Sequence, residues 1–442
     1  MATELEGADA PLLTPVEVSV TPQSERSHSV TIMTKKKMRK QHMQNMNDVL
    51  FQGTPGVSVS RRSNLGFMGP NSGFRIRSLK GERVSVFVDG IPSQVNNHFH
   101  SLVDQYTSDM VERLEITRGG SSVLHGSGAA GGVIDLYTPT AAPGLSGYAQ
   151  ATYGHYGTRE FQGRTGYGGE NGSVQVGASH RFTEGYRNNM GFDATTFNIK
   201  ATYEISPNWD LGFRYGHTSA QIENPGTTSN PKLARSTQDP TNAVLTLDRK
   251  TDDSSSLFAL YFNNAEVWDI RNGSGASTGH LKFDEREIGI RLRHDWLLGP
   301  NKTYTVGLDM VEYTDKRTND SGASYRRDTE SYYSPYLHFS RSFGSTVANG
   351  GLRVTYSDQF GTDLSPELGL VHHVDPSLAL RARGGHAFRV PRVNDANQPF
   401  GVAAPDLDPE DFWEAEIGLN KTFMDNRAVF DAVLWFRDGD NL

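Results

Sequence analysis

The sequence contains no cysteine in 442 residues. This absence excludes disulfide bonds, cysteine zinc sites and thiol nucleophiles together. No run of 18 apolar residues occurs, and the mean hydropathy of −0.53 is too low for a membrane-spanning helix. The same mean hydropathy is compatible with a transmembrane β-barrel, since the strands of a barrel need apolar side chains only at alternate positions.

The chain also lacks a basic surplus and an export signal. Its 43 Lys and Arg against 51 Asp and Glu give a net charge of −8, whereas a nucleic-acid-binding domain usually shows a basic patch and a high pI. We therefore expect no nucleic-acid partner. Residues 1–11 hold no apolar core of a signal peptide, so if the protein is exported, we expect its leader to be missing from this chain.

Catalytic and cofactor motifs are absent as well. Residues 126–131, GSGAAG, match G-x-G-x-x-G, but a strand pattern follows, and residues 140–155 hold no Asp or Glu. A dinucleotide site needs a helix after the glycines and an acidic residue about 20 positions on. No nucleophile elbow, His-Glu zinc motif or phosphate loop appears. We predict that the protein is not an enzyme and carries no cofactor.

What the sequence does contain, after the linker at residues 138–144, is a series of two-faced strand patterns. In residues 209–216, Trp209, Leu211 and Phe213 alternate with polar residues and glycine, and residues 288–296 and 412–419 repeat the alternation. A soluble sandwich would also alternate. Short breaks near residues 168–172, 206–208, 299–302, 344–349, 375–377 and 424–426 separate longer ones near 184–193, 219–242, 271–279, 315–327, 357–362 and 387–411.

This repeated difference in length favours an outer-membrane barrel, with short periplasmic turns and longer extracellular loops. About fifteen strands are predicted. Because bacterial barrels close with an even number of strands, we expect the chain to stop before the barrel closes.

The part before the linker contains a methionine-rich segment, residues 35–51. Its Met38, Met43, Met46, Val49 and Leu50 recur at helical spacing, which predicts one short amphipathic helix. A methionine and histidine metal site that includes His42 is the alternative, but methionines at this spacing more often form a packing face.

Four ordered stretches carry a resemblance to a known family. They are PVEVSVT (residues 15–21), TPGVSV (54–59), FRIRSLKGERVSVFVDGIP (74–92) and VERLEITRGGSSVLHGSGAAGGVIDLYTP (111–139). In this order they resemble the TonB box and the plug domain of TonB-dependent outer-membrane receptors. AFRVP (387–391) and PDLDPE (405–410) are similar to the family's paired long-loop motifs.

The resemblance implies a mainly β fold, a transmembrane antiparallel β-barrel with an N-terminal α+β plug domain that fills its lumen. About 15 of an expected 22 strands would be present. The implied divisions are residues 1–23 for an N-terminal extension with the TonB box, 24–143 for the plug and 144–442 for a C-terminally incomplete barrel. The implied location is the bacterial outer membrane, in contact with its lipid.

The resemblance also implies functional residues. Glu17, Val18, Ser19, Val20 and Thr21 would add a strand to TonB, which acts with its inner-membrane energising complex. Charged plug residues would pair with charges on the barrel wall, because a strand inside a polar lumen needs partners there. The expected plug–barrel contact residues are Arg75, Arg77, Glu112, Glu115, Arg118, Glu414 and Glu416.

The implied activity is active uptake of a small-molecule metal chelate, and we expect a ferric siderophore. Arg61, Arg62 and Phe67 could hold an anionic chelate by charge and stacking. His98 and His100 are candidate metal or haem ligands, so a haem, cobalamin or other metal-complex receptor is the alternative. A non-transporting surface barrel that serves phage or bacteriocin attachment belongs to another class, and it would need neither a plug nor a TonB box.

Overall fold

The computed structural model describes residues 26–41, 43, 46–60, 73–93, 105–229, 231–272, 278–299, 302–319, 324–391, 407–424 and 427–441. Those before Gly144 form the plug, and those from Gly144 onward form the wall of a β-barrel. Within these ranges, no helix is both long enough and apolar enough to cross a membrane.

The plug combines short strands and short helices. Its elements are β1 (Ser29–Thr34), α1 (Lys35–Lys40), α2 (Met46–Gln52), β2 (Val57–Ser60), β3 (Gly73–Ile76), β4 (Leu79–Lys80), β5 (Val84–Val88), β6 (Ile91–Pro92), β7 (Arg113–Arg118), α3 (Ser122–His125) and β8 (Gly132–Tyr137). One sheet has the order β1-β7-β8-β5-β6, and β2-β3-β4 form a second sheet. β5 and β8 run parallel.

The methionine-rich segment forms two short helices, so the prediction of one helix was wrong. α1 ends at Lys40 and α2 begins at Met46. Met38, Met43 and Met46 are buried in the plug's hydrophobic core with Val49 and Leu50. The segment therefore has the packing role that its spacing indicates, with one short helix toward each of its ends.

The wall consists of long antiparallel strands. They are β9 (Gly144–Tyr153), β10 (Arg159–Gly168), β11 (Gly172–Thr183), β12 (Phe192–Ser206), β13 (Trp209–Gly226), β14 (Pro231–Lys250), β15 (Ser254–Asn272), β16 (Thr278–Leu297), β17 (Lys302–Asn319), β18 (Ser324–Phe343), β19 (Thr346–Ser357), β20 (Gly361–Asp375), β21 (Leu378–Arg389), β22 (Glu410–Phe423) and β23 (Ala428–Asp440). β10 to β23 pair in sequence order, and β9 lies beside β10. The prediction of about fifteen strands is confirmed.

Two of the predicted long breaks are mostly strand. β13 continues to Gly226 and β14 starts at Pro231, so little of 219–242 is loop; β17 and β18 likewise reduce the break at 315–327. Strands of 18 to 20 residues exceed the roughly 9–11 that cross a bilayer. We call the end with turns such as 207–208 the short-turn end and the opposite end the long-connection end.

The two faces of the wall invert the pattern of a soluble protein. On β22, Trp413 and Ile417 are 56% and 58% exposed, whereas Glu414 and Glu416 are 4% and 2% exposed. Apolar residues outside and charges inside are typical of a barrel that faces lipid and encloses a polar lumen.

Candidate functional site

The tip of the β3–β4 hairpin places a plug arginine against the wall. Arg77 and Ser78 form the two-residue turn, with φ of 49° and 71°, the positive values that a tight hairpin of this kind requires. Arg77 Nη1 donates to Glu414, and Nη2 donates to Glu416 Oε2 at 2.5 Å. All three side chains are buried. The hairpin therefore docks onto β22 through charge.

A second plug arginine docks further along the same strand. Arg83, at the end of the helical turn before β5, donates from Nε and Nη2 to the two carboxylate oxygens of Glu410, each at 2.6 Å. Such bidentate pairs are among the stronger hydrogen bonds that side chains form, and they also fix orientation. Arg389 of β21 also donates to Glu410.

Glu414 is the centre of this arrangement. It accepts hydrogen bonds from Arg77, from Arg437 at 2.6 Å, and from Arg383 at 3.4 Å. We call the set Arg77, Arg83, Arg383, Arg389, Glu410, Glu414, Glu416 and Arg437 the plug–wall ion network. Several positive groups around one buried carboxylate compensate the cost of removing that charge from water.

The glycine-rich segment between β7 and β8 docks through its backbone. Arg383 donates to Gly120 O, and Arg437 Nη2 donates to Ala130 O at 3.2 Å. Gly119 has φ of +87°, and a Cβ there would collide with the Glu414 carboxylate. The glycine thus serves both the turn and the close approach to the wall.

Another part of the wall also contacts the plug backbone. Arg291 of β16 donates to Gly90 O at 2.9 Å and to Leu124 O at 3.2 Å. Asp309 of β17 holds the Arg291 guanidinium at 2.8 and 2.9 Å and also pairs with Arg353 at 2.9 Å. The plug is thereby held from separate parts of the wall.

The β5–β6 turn adds a further charged contact. Asp89 lies 3.3 Å from Lys200 Nζ and 3.8 Å from Arg214 Nε, and it accepts from Thr138 N at 2.8 Å. Burial alone would raise the pKa of Asp89, but the two cations and the hydrogen bonds from Thr138 together outweigh burial, and the pKa lies below its usual value. The Asp89 carboxylate is therefore stabilised in its charged form.

The first described residues connect the start of β1 both to the rest of the plug and to the wall. Arg26 Nη1 lies 2.6 Å from Glu115 of β7. Ser27 Oγ donates to Asn349 Oδ1 of β19 at 2.8 Å, and His28 Nε2 lies 3.5 Å from Glu367 of β20. Consecutive side chains thus contact the plug and the wall just before the plug sheet begins.

A cavity of about 500 Å³ lies between the plug and the wall. Asp89 and Asp135 line its plug side, and Glu204, Asp210 and Lys250 line it near the wall turns 207–208 and 251–253. The cavity therefore reaches the short-turn end and is largely polar where it does so.

Two plug groups in this cavity have strongly shifted pKa values. Burial, with Glu115 nearby, raises the pKa of Asp135 to about 7. Burial and the Arg291 charge lower the pKa of His125 to about 3. Both groups are consequently biased toward their neutral forms.

The residues expected to join plug and barrel divide into two groups. Arg77, Glu414 and Glu416 come together as described. Glu115 pairs instead with Arg26 and Arg113, and Glu112 is more than half exposed, 3.9 Å from Lys35.

Arg118 and Arg75 also differ from that expectation. Arg118 donates to Pro55 O and to Thr31 Oγ1 at 2.7 Å. Because β7 lies between β1 and β8 in the plug sheet, Arg118 is next to β1 and contacts Thr31 on that strand. Arg75 is half-buried on β3, in register with Ser58 and Lys80.

The other predicted site residues lie outside the described residues. They are the TonB-contacting residues Glu17, Val18, Ser19, Val20 and Thr21 and the ligand-binding residues Arg61, Arg62, Phe67, His98 and His100. Their roles stay predictions.

Sequence reasoning missed Arg83, Glu410 and Arg437 as docking residues. Glu410 ends the PDLDPE stretch, and Arg83 lies within the hairpin stretch, so both had a positional signal. The sequence gives no signal that Arg83 and Glu410 pair with each other, because 327 residues separate them in the chain.

Comparisons with known proteins agree with this architecture. Residues 22–133 match the family model described as TonB-dependent Receptor Plug Domain. Residues 135–442 match the model described as TonB dependent receptor-like, beta-barrel. Together these two models cover nearly all of the chain.

The curated relatives have low sequence identity to this chain, but they match it over most of its length. The vitamin B12 transporter BtuB of Vibrio vulnificus (strain YJ016) is 24% identical over 404 residues, 88% of this chain and 64% of the relative. The ferric enterobactin receptor of Pseudomonas aeruginosa is 22% identical over 462 residues, 86% of this chain and 61% of the relative. The chain thus spans less than two thirds of the length of these relatives.

A solved structure shows the same fold. A mutant of the ferric enterobactin receptor PfeA from Pseudomonas aeruginosa superposes with a TM-score of 0.77 at 19% sequence identity. The superposition covers 93% of this chain and 71% of that chain. At this identity the likeness supports the fold alone.

Proposed function

The chain belongs to the TonB-dependent receptors of the outer membrane, and from that membership we propose that the protein binds an extracellular ferric siderophore and imports it with energy transmitted by TonB. The observation that carries the proposal is the plug–wall ion network, which holds a plug in the lumen with buried charges. A lumen closed in this way needs work to open.

The energy of the docking contacts supports an energised mechanism. Removing one partner of a buried ion pair typically costs about 3–5 kcal/mol, since the other charge is left uncompensated. Arg77 and Arg83 each dock on buried carboxylates, and Arg291 holds the plug elsewhere. Thermal motion alone would rarely separate all of these contacts at once, so an external pull is the consistent driving force.

The position of the TonB box fits such a pull. Glu17 to Thr21 precede Arg26, Ser27 and His28 by a few residues, and these three fasten β1 to β7 and to the wall. An added strand bonds through its main chain, so tension would reach these three contacts first. The cavity beside Asp89 and Asp135 provides space on the short-turn side into which the plug could shift.

The substrate class rests on relatives and on loop chemistry. A relative is a ferric enterobactin receptor, and Arg61, Arg62 and Phe67 would supply the charges and the aromatic ring that hold an anionic chelate. The second candidate is a corrinoid, favoured by the BtuB relative, which covers 88% of this chain. Haem is the third candidate and would use His98 and His100.

The proposal is tested by growth and uptake in an iron-starved strain that lacks its own receptors and expresses the full-length gene that encodes this sequence. Ferric siderophores, haem and cobalamin are supplied separately, with and without TonB. We expect one ferric siderophore to restore growth, and we expect accumulation to stop when TonB is deleted. Rescue by haem alone, or uptake of cobalamin and of no ferric siderophore, would replace the siderophore assignment, whereas surface binding without uptake would favour an attachment barrel.

A deletion variant tests the TonB step directly. Removal of residues 15–21 should abolish accumulation and leave ligand binding at the cell surface unchanged. Energy-dependent uptake that persists in this variant would contradict the assigned role of Glu17 to Thr21.

A further inference from the structure

Three polar residues meet where β20 and β21 separate at the long-connection end. The two strands pair as far as Glu367 with Gly385. Asp363 lies beyond this point on β20, His386 lies beyond it on β21, and Asp411 lies near the start of β22. Three neighbouring strands therefore bring one polar side chain each to the same place.

The imidazole of His386 stands between the two carboxylates. Its Nε2 lies 3.1 Å from Asp411 Oδ1, and its Nδ1 lies 4.0 Å from Asp363 Oδ1. The residue is only 7% exposed, and Nδ1 has no hydrogen-bond partner within the described ranges. A buried polar atom without a partner costs about 1–3 kcal/mol, so this nitrogen lacks a group that would satisfy it.

The geometry points to a divalent metal ion as that group. One ligand atom from each residue can be chosen so that all lie within 4.8 Å of one another. Tetrahedral Zn²⁺ with bonds of about 2.0–2.1 Å needs ligand atoms roughly 3.4 Å apart. A gap of 4.0 Å is too long for a hydrogen bond, and small side-chain rotations would close it around an ion. We propose that Asp363 and His386 Nδ1 bind Zn²⁺ or a similar transition-metal ion, with Asp411 on Nε2 as the carboxylate that orients the imidazole.

The donor types select this class of metal. Imidazole suits zinc, copper, iron and nickel, whereas Ca²⁺ and Mg²⁺ take oxygen ligands. Two protein ligands leave the remaining coordination positions of a tetrahedral ion for water. A neighbouring cavity of about 230 Å³ is lined by Asp363, Asp411, Ser357 and Asp408, and it provides room for that water and a path for the ion.

The bound ion would tie together strands that pairing no longer holds. Asp363 and His386 lie past the last pair of β20 and β21, and Asp411 follows the connection that carries the AFRVP and PDLDPE stretches. A cross-link at this place would fix the base of that connection. This role is independent of the transported substrate, so it stands or falls separately from the proposed function.

Metal titration of the purified full chain in detergent tests the site. We expect one saturable Zn²⁺ site by calorimetry, and Co²⁺ should give the visible bands of a protein-bound ion that Zn²⁺ displaces. Asp363→Asn and Asp411→Asn retain size and should each weaken binding at least tenfold. His386→Ala should abolish it.

His180→Ala is the matched control, because His180 pairs with Asp193 at 3.7 Å on the exposed surface without a second carboxylate in that pair. It should bind Zn²⁺ as the unsubstituted chain does. Zn²⁺ should also raise the unfolding temperature of the unsubstituted chain and of His180→Ala, since a ligand of the folded state stabilises it, but not that of Asp363→Asn. Absence of saturable binding, or equal binding in Asp363→Asn, would overturn the proposal and leave a hydrogen-bonded trio.

Discussion

At the scale of single residues, the buried carboxylates differ in the charged groups that surround them. Glu414 is surrounded by guanidiniums, Asp89 lies between Lys200 and Arg214, and Asp135 lies beside Glu115 without a cation that outweighs burial. The same chemical group is therefore paired with cations at two positions, whereas at the third its pKa rises to about 7. Charge placement, more than residue type, determines what each carboxylate contributes.

Asp135 makes plug stability depend on pH. Its pKa rises from 3.8 unfolded to about 7 folded, so between these values the folded state binds a proton that the unfolded state lacks. Stability from this group is therefore full at low pH and falls as pH rises through 7. Asp135→Asn removes the titration, and we expect its plug amides to gain hydrogen-exchange protection, relative to the unsubstituted chain, at pH 8 but not at pH 4.

Asp89→Asn is the control of opposite sign. The pKa of Asp89 is lowered, so its contribution is present above the unfolded pKa and is lost as pH falls. This variant should lose protection at pH 8. Equal behaviour of the two variants at pH 8 would contradict the pKa assignments.

Glu414→Gln tests the centre of the plug–wall ion network. The amide keeps the shape but leaves Arg77, Arg383 and Arg437 around a neutral group, and we expect a loss of about 3–5 kcal/mol in plug docking. Protease cleavage of the plug in detergent should accelerate accordingly. Asp431→Asn breaks an exposed pair with Arg381, worth about 0–1 kcal/mol, and should change cleavage little. Identical cleavage of the two variants would show that Glu414 does not anchor the plug.

At the scale of elements, the alternation of apolar and polar residues predicts the strands of the wall. The alternation is lost where the strands extend beyond the membrane. Residues 219–226 and 231–242 belong to β13 and β14, but the outward positions there include polar residues such as Gln221. Without an apolar face in lipid, a strand carries no strong sequence signal, and its backbone pairing alone extends it. The alternation at Trp413 and Ile417 was readable because lipid imposes it.

The partners in the ion pairs between plug and wall could not be predicted from the sequence. The sequence places Arg77 on a hairpin and Glu414 on a strand, and 337 residues separate the two. Their contact depends on how the plug is rotated inside the barrel, and no local pattern encodes that rotation. Arg118 shows the reverse case, since β1 beside β7 directs it to Thr31 and Pro55.

The outward face of β22 gives a prediction at this scale. Ile417→Arg puts a charge near the middle of the strand in lipid, and we expect a cost of about 2–4 kcal/mol in folding. Phe423→Arg, at the short-turn end of the same face, should cost about 0–1 kcal/mol. Denaturant titrations of folding into lipid vesicles, followed by heat-dependent gel mobility, measure both. Equal costs would place Ile417 outside the lipid.

At the scale of the whole molecule, the plug and the wall form one polar interface with two kinds of contact. The plug–wall ion network and the Arg291 contacts hold the body of the plug, whereas Ser27 and His28 hold only the start of β1. A pull on the N-terminal segment would therefore meet the second set before the first. Release would proceed from β1 inward, with the cavity at the short-turn end receiving the displaced chain.

A cross-link at the start of β1 tests this order. The chain has no cysteine, so Ser27→Cys with Asn349→Cys introduces the only thiols, at positions whose side chains touch. Joining them with a short thiol-specific reagent should block energy-dependent uptake and leave surface binding of the substrate intact, because β1 can no longer leave the wall. Each single variant, treated alike, should transport normally, and a cleavable reagent should restore uptake after cleavage. Full uptake by the cross-linked double variant would mean that the plug opens without releasing β1 from β19, and the work would then have to act on the contacts of Arg77, Arg83 and Arg291 directly.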